Sequence, residues 1–335
     1  MTDLLDLMRV REEPLSAAET ESLFDRIFEG KLSDEQLLAY LTATADRKPT
    51  VAEITGAARS MRNYMLPVEA PPDAIDLCGT GGDGQGTLNI STAVSFVVAG
   101  AGVPVAKHGN RAASSKSGAA DILEALGVKI GLEPQTASKV LAETGIVFLF
   151  AQTHHPAMKH VGAARARIGR RTIFNLLGPL ASPARVTRQL VGIFAEEWLE
   201  PYAETLQALG SSRAMVVHGR DGLDEVTNTD VTATAALADG RIMRGQIAPE
   251  DAGLERASLA DLKGGGARDN AARLTALLAG EPGAYRDIVL INAAAALMVA
   301  GRAKDILAGM HLASQALDCG AARAKLQELI AATNR

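Results

Sequence analysis

The chain has 335 residues, 34 Lys and Arg against 39 Asp and Glu, and a formal net charge of −5; that length predicts two domains, or one large domain with an appendage. Two cysteines, Cys78 and Cys319, exclude a disulfide framework, no apolar run reaches the ~18 residues of a membrane span, and the opening MTDLLDLMRVREE carries acids where a signal peptide carries bases. A soluble cytoplasmic protein is expected, with neither membrane nor nucleic acid as partner, since 4% aromatics on an acidic chain are a poor basis for nucleic-acid binding.

Residues 1–66 read as helices alone. A short helix is expected at Leu4 to Met8, and three capping boxes then announce three starts: Ser16 with Glu19, Ser33 with Gln36, and Thr50 with Glu53. Leu23, Phe24, Ile27 and Phe28 follow at helical spacing, and Gly30 stands where a helix stop is wanted. Pro67 to Asp73, with three prolines, reads as a linker leaving a small helical domain.

From residue 74 to the end the texture is α/β. Strands are expected at Ala74–Cys78, Val103–Ala106, Ile146–Phe150 and Ala214–Val217, with helices at Ile90–Ala101, Gly118–Leu126, Pro134–Thr144 and Pro201–Leu209. Such alternation implies a mostly parallel central sheet flanked by helices on both faces. Asp287–Gly301 and Ile306–Gln327 complete the chain as packed helices.

Nine glycines fall between Gly79 and Gly118. The first group contains G-x-G-x-x-G at Gly79, Gly81 and Gly84, the spacing of a dinucleotide-binding turn. That reading needs an acid about 20 residues on, at the end of the second strand; here the second strand ends in Lys107-His108, and no acid lies between Asp83 and Asp121. A phosphate loop fits better, because glycines let backbone N–H groups approach an anion and the following helix presents its positive end. The second strand delivers Lys107-His108-Gly109-Asn110-Arg111, then Ser114, Ser115, Lys116 and Ser117. Two successive strand ends thus carry anion-binding chemistry.

No acid occurs between Glu143 and Glu196, a stretch holding Lys159, Arg165, Arg167, Arg170, Arg171, Arg185, Arg188, His154, His155 and His160. Such a local positive field attracts a carboxylate or phosphate, whereas the histidine spacing, without an accompanying acid or thiolate, argues against zinc. Farther on, HGRDGLDE (His218–Glu225) presents two adjacent carboxylates, Asp224 and Glu225, after a strand. Opposite two phosphate loops, hard oxygen ligands of this kind suit Mg²⁺.

GTGGD (Gly79–Asp83), NIST (Asn89–Thr92), KHGNR (Lys107–Arg111), SSKSG-x-AD ending at Asp121, LEALG (Leu123–Gly127), HHPAMKHV (His154–Val161), RTIFNLLGPL (Arg171–Leu180) and HGRDGLDE, in that order, together resemble the anthranilate phosphoribosyltransferases. The resemblance implies transfer of a phosphoribosyl group from phosphoribosyl pyrophosphate to anthranilate, two Mg²⁺ ions per subunit, and a homodimer joined through the helical domain. It also implies that residues of about 155–185 return to that domain and form the acceptor side. Gly79, Gly82, Asp83, Thr87, Asn89, Ile90, Ser91 and Thr92 would surround pyrophosphate and ribose. Lys107, His108, Gly109, Asn110, Arg111, Ala112, Ala113, Ser114 and Ser115, with Ala119, would form the second phosphate side. Gly79, Asn110 and Arg165 would face anthranilate, and Ser91, Asp224 and Glu225 the metal. Lys107 and the metal would supply electrostatic catalysis. The chain departs from the family pattern at Ala119, Gln152, Ser182, Gly266 and Ala267.

A pyrimidine nucleoside phosphorylase would carry a K-x-S-x-x-x-G-x-x-x-D motif, which Arg165 to Arg170 does not match. A nucleic-acid-binding relative would be basic and would lack the KHGNR and acid-pair set that this chain keeps.

Overall fold

A computed structural model describes residue 10, residues 12–112 and residues 116–335. The helix expected at Leu4 to Met8, and Ala113, Ser114 and Ser115, lie outside the described residues.

Among the described residues three helices come first: α1 (Ala17–Phe28), α2 (Asp34–Arg47) and α3 (Val51–Asn63). Each begins at the expected capping box, with the Ser16, Ser33 or Thr50 side chain accepting from the backbone three residues on. Gly30 ends α1 at φ +71°. The apolar stripe of α1 buries Leu23, Phe24, Ile27 and Phe28. Helix α3 meets α1 through a glycine: a Cβ on Gly56 would lie 2.2 Å from the Ala17 carbonyl oxygen. The Glu53 carboxylate is fully buried and ion-paired with Arg47, tying α3 to α2.

The larger unit is a seven-stranded sheet with strand order β3-β2-β1-β4-β5-β6-β7. Its strands are β1 (Ile75–Gly79), β2 (Val105–Gly109), β3 (Ile146–Phe150), β4 (Arg188–Gly192), β5 (Arg213–Gly219), β6 (Thr232–Ala238) and β7 (Arg241–Ile247). The first five run parallel, and β5, β6 and β7 pair antiparallel. The expected fold class, a small helical domain with a mostly parallel α/β domain, is therefore the observed one. Three strands escape the sequence reading. β4 lies inside the basic stretch and opens on Arg188 and Gln189, too polar a start for a central strand. The β6–β7 hairpin is alanine-rich on one arm and charged on the other, and turns on Asp239 and Gly240, both at positive φ, as a two-residue hairpin requires.

Helices following the strands are α4 (Ile90–Gly100), α5 (Ala119–Ala125), α6 (Pro134–Thr144), α7 (Ala151–His154), α8 (Gly162–Ile168), α9 (Phe174–Leu177) and α10 (Leu199–Ala208). The C-terminal helices are α11 (Ala267–Leu278), α12 (Ala284–Val299), α13 (Ile306–Asp318) and α14 (Ala321–Thr333). The segment expected as Ile306–Gln327 is two helices, because Gly320 takes φ +80° and turns the chain. Among the described residues, no helix is long and apolar enough to cross a membrane.

Period-two alternation distributes the sheet between two cores. On one face Leu77, Leu190, Met215 and Val217 pack with α4, α12 and α14. On the other, Val191, Ala214 and Val216 join α10 and the α1–α3 helices, together with Val161, Ala164, Ile173, Phe174, Leu177 and Leu180 from the basic stretch. The linker is fastened to that stretch by Leu66 N–H on His154 O (2.8 Å) and Val68 N–H on Pro183 O (3.0 Å). Replacing Gly56 with alanine should lower stability by about 1–3 kcal/mol through overpacking, outweighing the ~1 kcal/mol gain in helix propensity; the urea midpoint reads the change.

Candidate active site

Strands β1 and β2 end side by side, and each runs into a loop whose shape its sequence dictates. After β1, Gly81, Gly82, Gly84 and Gly86 all take φ between +60° and +80°, a left-handed course that side-chain-bearing residues rarely follow. The Asp83 side chain accepts from Gln85 N–H at 3.0 Å within that loop. The exit is closed by a short antiparallel bridge between Thr87 and Lys263, with Leu88 N–H on Leu262 O at 2.9 Å. Asn89, just before α4, donates to Ser117 O (3.2 Å) and accepts from the buried Asn270 amide (2.9 Å). Ile90 and Thr92 are buried and Ser91 is half-buried in the first turn of α4.

The acid pair reaches these loops by crossing the ends of β1 and β4. A Cβ on Gly79 would stand 2.6 Å from Asp224 Oδ2, and one on Gly192 would stand 1.6 Å from the Asp224 carbonyl oxygen. Asp224 Oδ2 accepts from Gly81 N–H at 2.9 Å, and Glu225 Oε1 from Ser91 N–H at 3.2 Å. Asp221 shapes the approach: its carboxylate accepts from the hydroxyls of Thr227 and Thr229 and from Leu223 N–H. Burial pushes the Asp224 and Glu225 carboxyls up. The charge of Asp83 adds to the rise at Asp224, and that of Asp224 to the rise at Glu225.

Lys107 sits beneath this assembly. It is 3% exposed and donates to Leu77 O at 2.5 Å and Ser91 Oγ at 3.1 Å. Its charge holds the Glu225 carboxyl lower than burial alone would and also opposes the rise at Asp76, which burial pushes up to about 6. Asp76 in turn accepts from His108 N–H at 3.0 Å. Beyond β2, Gly109 lies so close to Phe148 that a Cβ would come within 2.8 Å of its ring. The exposed Asn110 closes a turn on Arg111 N–H (2.8 Å). Arg111 is turned to Asp121 (3.0 Å) and Glu124 (2.5 Å). Asp121 holds the loop by accepting from Ala112 N–H (3.0 Å) and Gly118 N–H (2.8 Å). Ala119 starts α5 beside Gly109. At the Gly266-Ala267 departure, Asp269 caps α11 by accepting from Gly266 N–H at 3.3 Å.

The basic stretch divides its charges. Arg167 and Arg170 pair with Glu35 and Asp46 of the helical unit. Arg171 stacks 4.3 Å over Phe194 and donates to Gly82 O, joining this stretch to the first glycine loop. Arg165, half-buried on α8, lies 5.5 Å over the Phe174 ring and has no carboxylate partner among the described residues. Of the histidines, His154 and His155 are buried, the His155 ring 5.1 Å from that of His108 on β2. Burial lowers His108 well below its ordinary range and His155 to about 4.

Gly192, Asn270, Lys263, Asp121 and Arg171 were not singled out as site residues from the sequence. Only Asp121, three residues after Gly118, carried a local signal, the third position of a helix start. The donor set suits a hard divalent cation: adjacent carboxylates, Asp83 nearby, and burial that disfavours their unneutralised charge. Among the described residues no three or more His, Cys, Asp or Glu side chains close a complete metal cage.

Residues 3–65 match the helical bundle domain, and residues 71–323 the a/b domain, of a glycosyl transferase family. The chain belongs to that family. It is 57% identical to the anthranilate phosphoribosyltransferase of Rhodopseudomonas palustris (strain BisB18), over 96% of this chain and 94% of the relative. The crystal structure of the Thermus thermophilus enzyme superimposes with a TM-score of 0.93 at 40% identity, covering 98% of this chain and all of the other. The Saccharomyces cerevisiae enzyme in complex with PRPP and Mg gives 0.91 at 26% identity, covering 99% and 98%. Within the glycosyl transferase family, the chain is a member of the anthranilate phosphoribosyltransferases.

Gly192→Ala should drive the Asp224 backbone out of place and cost about 100-fold or more in kcat, the scale of a 1 Å misplacement, with thermal unfolding showing whether the fold survives. His155 ionises in the folded chain near pH 4 and unfolded near 6.5. The unfolded state therefore binds more protons between those values, and the contribution to stability is whole above pH 6.5 and lost as pH falls towards 4. It amounts to at most about 3 kcal/mol. Urea unfolding at pH 7 and pH 5 should show the loss, and His155→Gln should reduce it.

Proposed function

We propose that the chain transfers the 5-phosphoribosyl group of phosphoribosyl pyrophosphate to the amine of anthranilate and releases pyrophosphate, a reaction of tryptophan biosynthesis. The observation that carries this reading is the acid pair bonded to the glycine loop at Gly81 and to the helix start at Ser91, in a chain of this family.

In this reading the backbone N–H groups from Gly79 to Thr87 and the start of α4 bind pyrophosphate and ribose. Asn110 and Arg165 position anthranilate, Arg165 by pairing with its carboxylate. Ser91, Asp224 and Glu225, with Asp83 near, would hold Mg²⁺, two ions per subunit, which would supply positive charge against the departing pyrophosphate. The amine nitrogen forms its bond to C1 of the ribose as the C1–O bond to pyrophosphate breaks, and it then gives up a proton. An aromatic amine is already neutral at pH 7, so no strong base is needed, and positioning and electrostatic stabilisation carry the rate. Lys107 acts from below: its bonds to Leu77 O and Ser91 Oγ fix the helix start, and its charge offsets Glu225. Arg111, committed to Asp121 and Glu124, braces the second loop. The homodimer through the helical unit belongs to the same reading.

Mixing the protein with anthranilate, phosphoribosyl pyrophosphate and Mg²⁺ should deplete anthranilate fluorescence; no loss defeats the proposal. Arg165→Ala should raise KM for anthranilate about 10–100-fold, the scale of a lost charge-assisted hydrogen bond. KM for phosphoribosyl pyrophosphate should stay near the wild-type value, and an equal rise for both substrates counts against the assignment.

A further inference from the structure

Apart from the strand-end loops, a cleft of about 210 Å³ opens where α3 meets the end of α10, lined by Glu21, Arg59, Arg62, Asn63, Arg185 and Leu209. Three guanidinium groups converge on it. Arg62 donates to Leu180 O (2.7 Å) and Leu209 O (3.1 Å), Arg59 to Ala208 O (3.4 Å), and Arg185 to Arg62 O (3.1 Å). Each guanidinium carries five donors, so carbonyl bonds employ a minority of them, and none of the three has a carboxylate partner among the described residues. Burial and the neighbouring charge of Arg185 lower Arg62 to about 10. These are cations held together with no ion-paired carboxylate among the described residues, Glu21 being the one acid in the lining. Arg185 reaches its position with φ at +47°, a conformation uncommon for a residue with a side chain. The lining acid, Glu21, is engaged by the Asn63 amide at 3.4 Å.

We propose that this cleft binds a small phosphate-class oxyanion, inorganic phosphate or pyrophosphate, which bridges the helical unit and the α/β unit. Three guanidinium forks, two from α3 and one from the chain before β4, suit an anion with three or more oxygens; a carboxylate, with two, would satisfy one fork. The volume falls below the roughly 300–1,000 Å³ of sites for drug-sized ligands, which fits these anions and leaves no room for a nucleotide. The site is independent of the transfer reaction and uses none of its residues.

The test is thermal unfolding and titration calorimetry of the full chain with phosphate or pyrophosphate, against sodium chloride at equal ionic strength. Because both anions can also enter the strand-end loops, the readout is the difference between wild type and Arg59→Gln/Arg185→Gln, which leaves those loops intact. At saturating anion the wild-type Tm should rise about 2–4 °C more than that of the variant, with one calorimetric site fewer in the variant. Glu21→Gln keeps every arginine–carbonyl bond and removes the opposing charge; it should tighten binding severalfold. A larger effect of phosphate assigns the site to a single tetrahedral anion, and a larger effect of pyrophosphate to the linked pair. Equal shifts in wild type and variants, or unchanged affinity in Glu21→Gln, would overturn the proposal.

Discussion

The site depends on one close passage of backbone over backbone. The Asp224 backbone crosses the end of β4 at a distance that Gly192 could not allow with a Cβ, and the Asp224 carboxylate lies against Gly79 at the end of β1. That crossing carries two carboxylates from the β5–β6 connection into hydrogen-bond reach of a loop and a helix start more than 130 residues earlier. Everything nearby accommodates it. Asp221 and its two threonines shape the approach, Lys107 supplies a buried positive charge below, and Asn292, itself buried on α12, accepts from Val226 N–H at 2.9 Å just beyond the pair. A parallel sheet offers such a place because its strand ends open on one edge, where loops from non-neighbouring segments meet.

Local chemistry was legible in the sequence and long-range geometry was not. Three capping boxes, the helix stop at Gly30 and the alternation from residue 74 onward each depend on residues a few positions apart. The structure has each of them in place. The Asp239-Gly240 turn was a local signal as well, but the alanine run before it obscured the strand it ends. β4 is different: a five-residue strand opening on Arg188 and Gln189 owes its place to partners on both sides, and its own pattern does not announce it. Gly192 is the same case, since nothing local to it specifies that Asp224 will pass overhead. Asn270 follows suit, for its amide finds Asn89 across 181 residues of chain.

The basic stretch shows how a sequence-level charge count can be right in sign and mistaken in carrier. Its histidines are buried and neutral where they approach the strand ends. Its positive character comes from arginines, and most of those are committed: Arg167 and Arg170 to acids of the helical unit, Arg171 to Gly82, Arg188 to Ala300 O. Arg165, half-buried against Phe174, is left without a carboxylate partner among the described residues. A guanidinium in that state is costly unless an anion arrives. The same reasoning gives it weight as an acceptor-side residue and gives the partly buried Arg62 weight in the second cleft.

The junction between the two units follows from this distribution. Had the stretch kept its acids, Val161 to Leu180 could have packed on α1–α3 just as well, because that contact is apolar. Its freedom from acids matters elsewhere, where the same segment faces the glycine loop through Arg171 and the second loop through the Gly178 carbonyl, 3.2 Å from His108 Nδ1. A carboxylate there would compete with an incoming anion for every donor at the strand ends. The 52 residues without an acid are thus a constraint set by ligand charge on a segment whose packing is set by hydrophobic burial. Satisfying both at once is what joins the helical unit to the site.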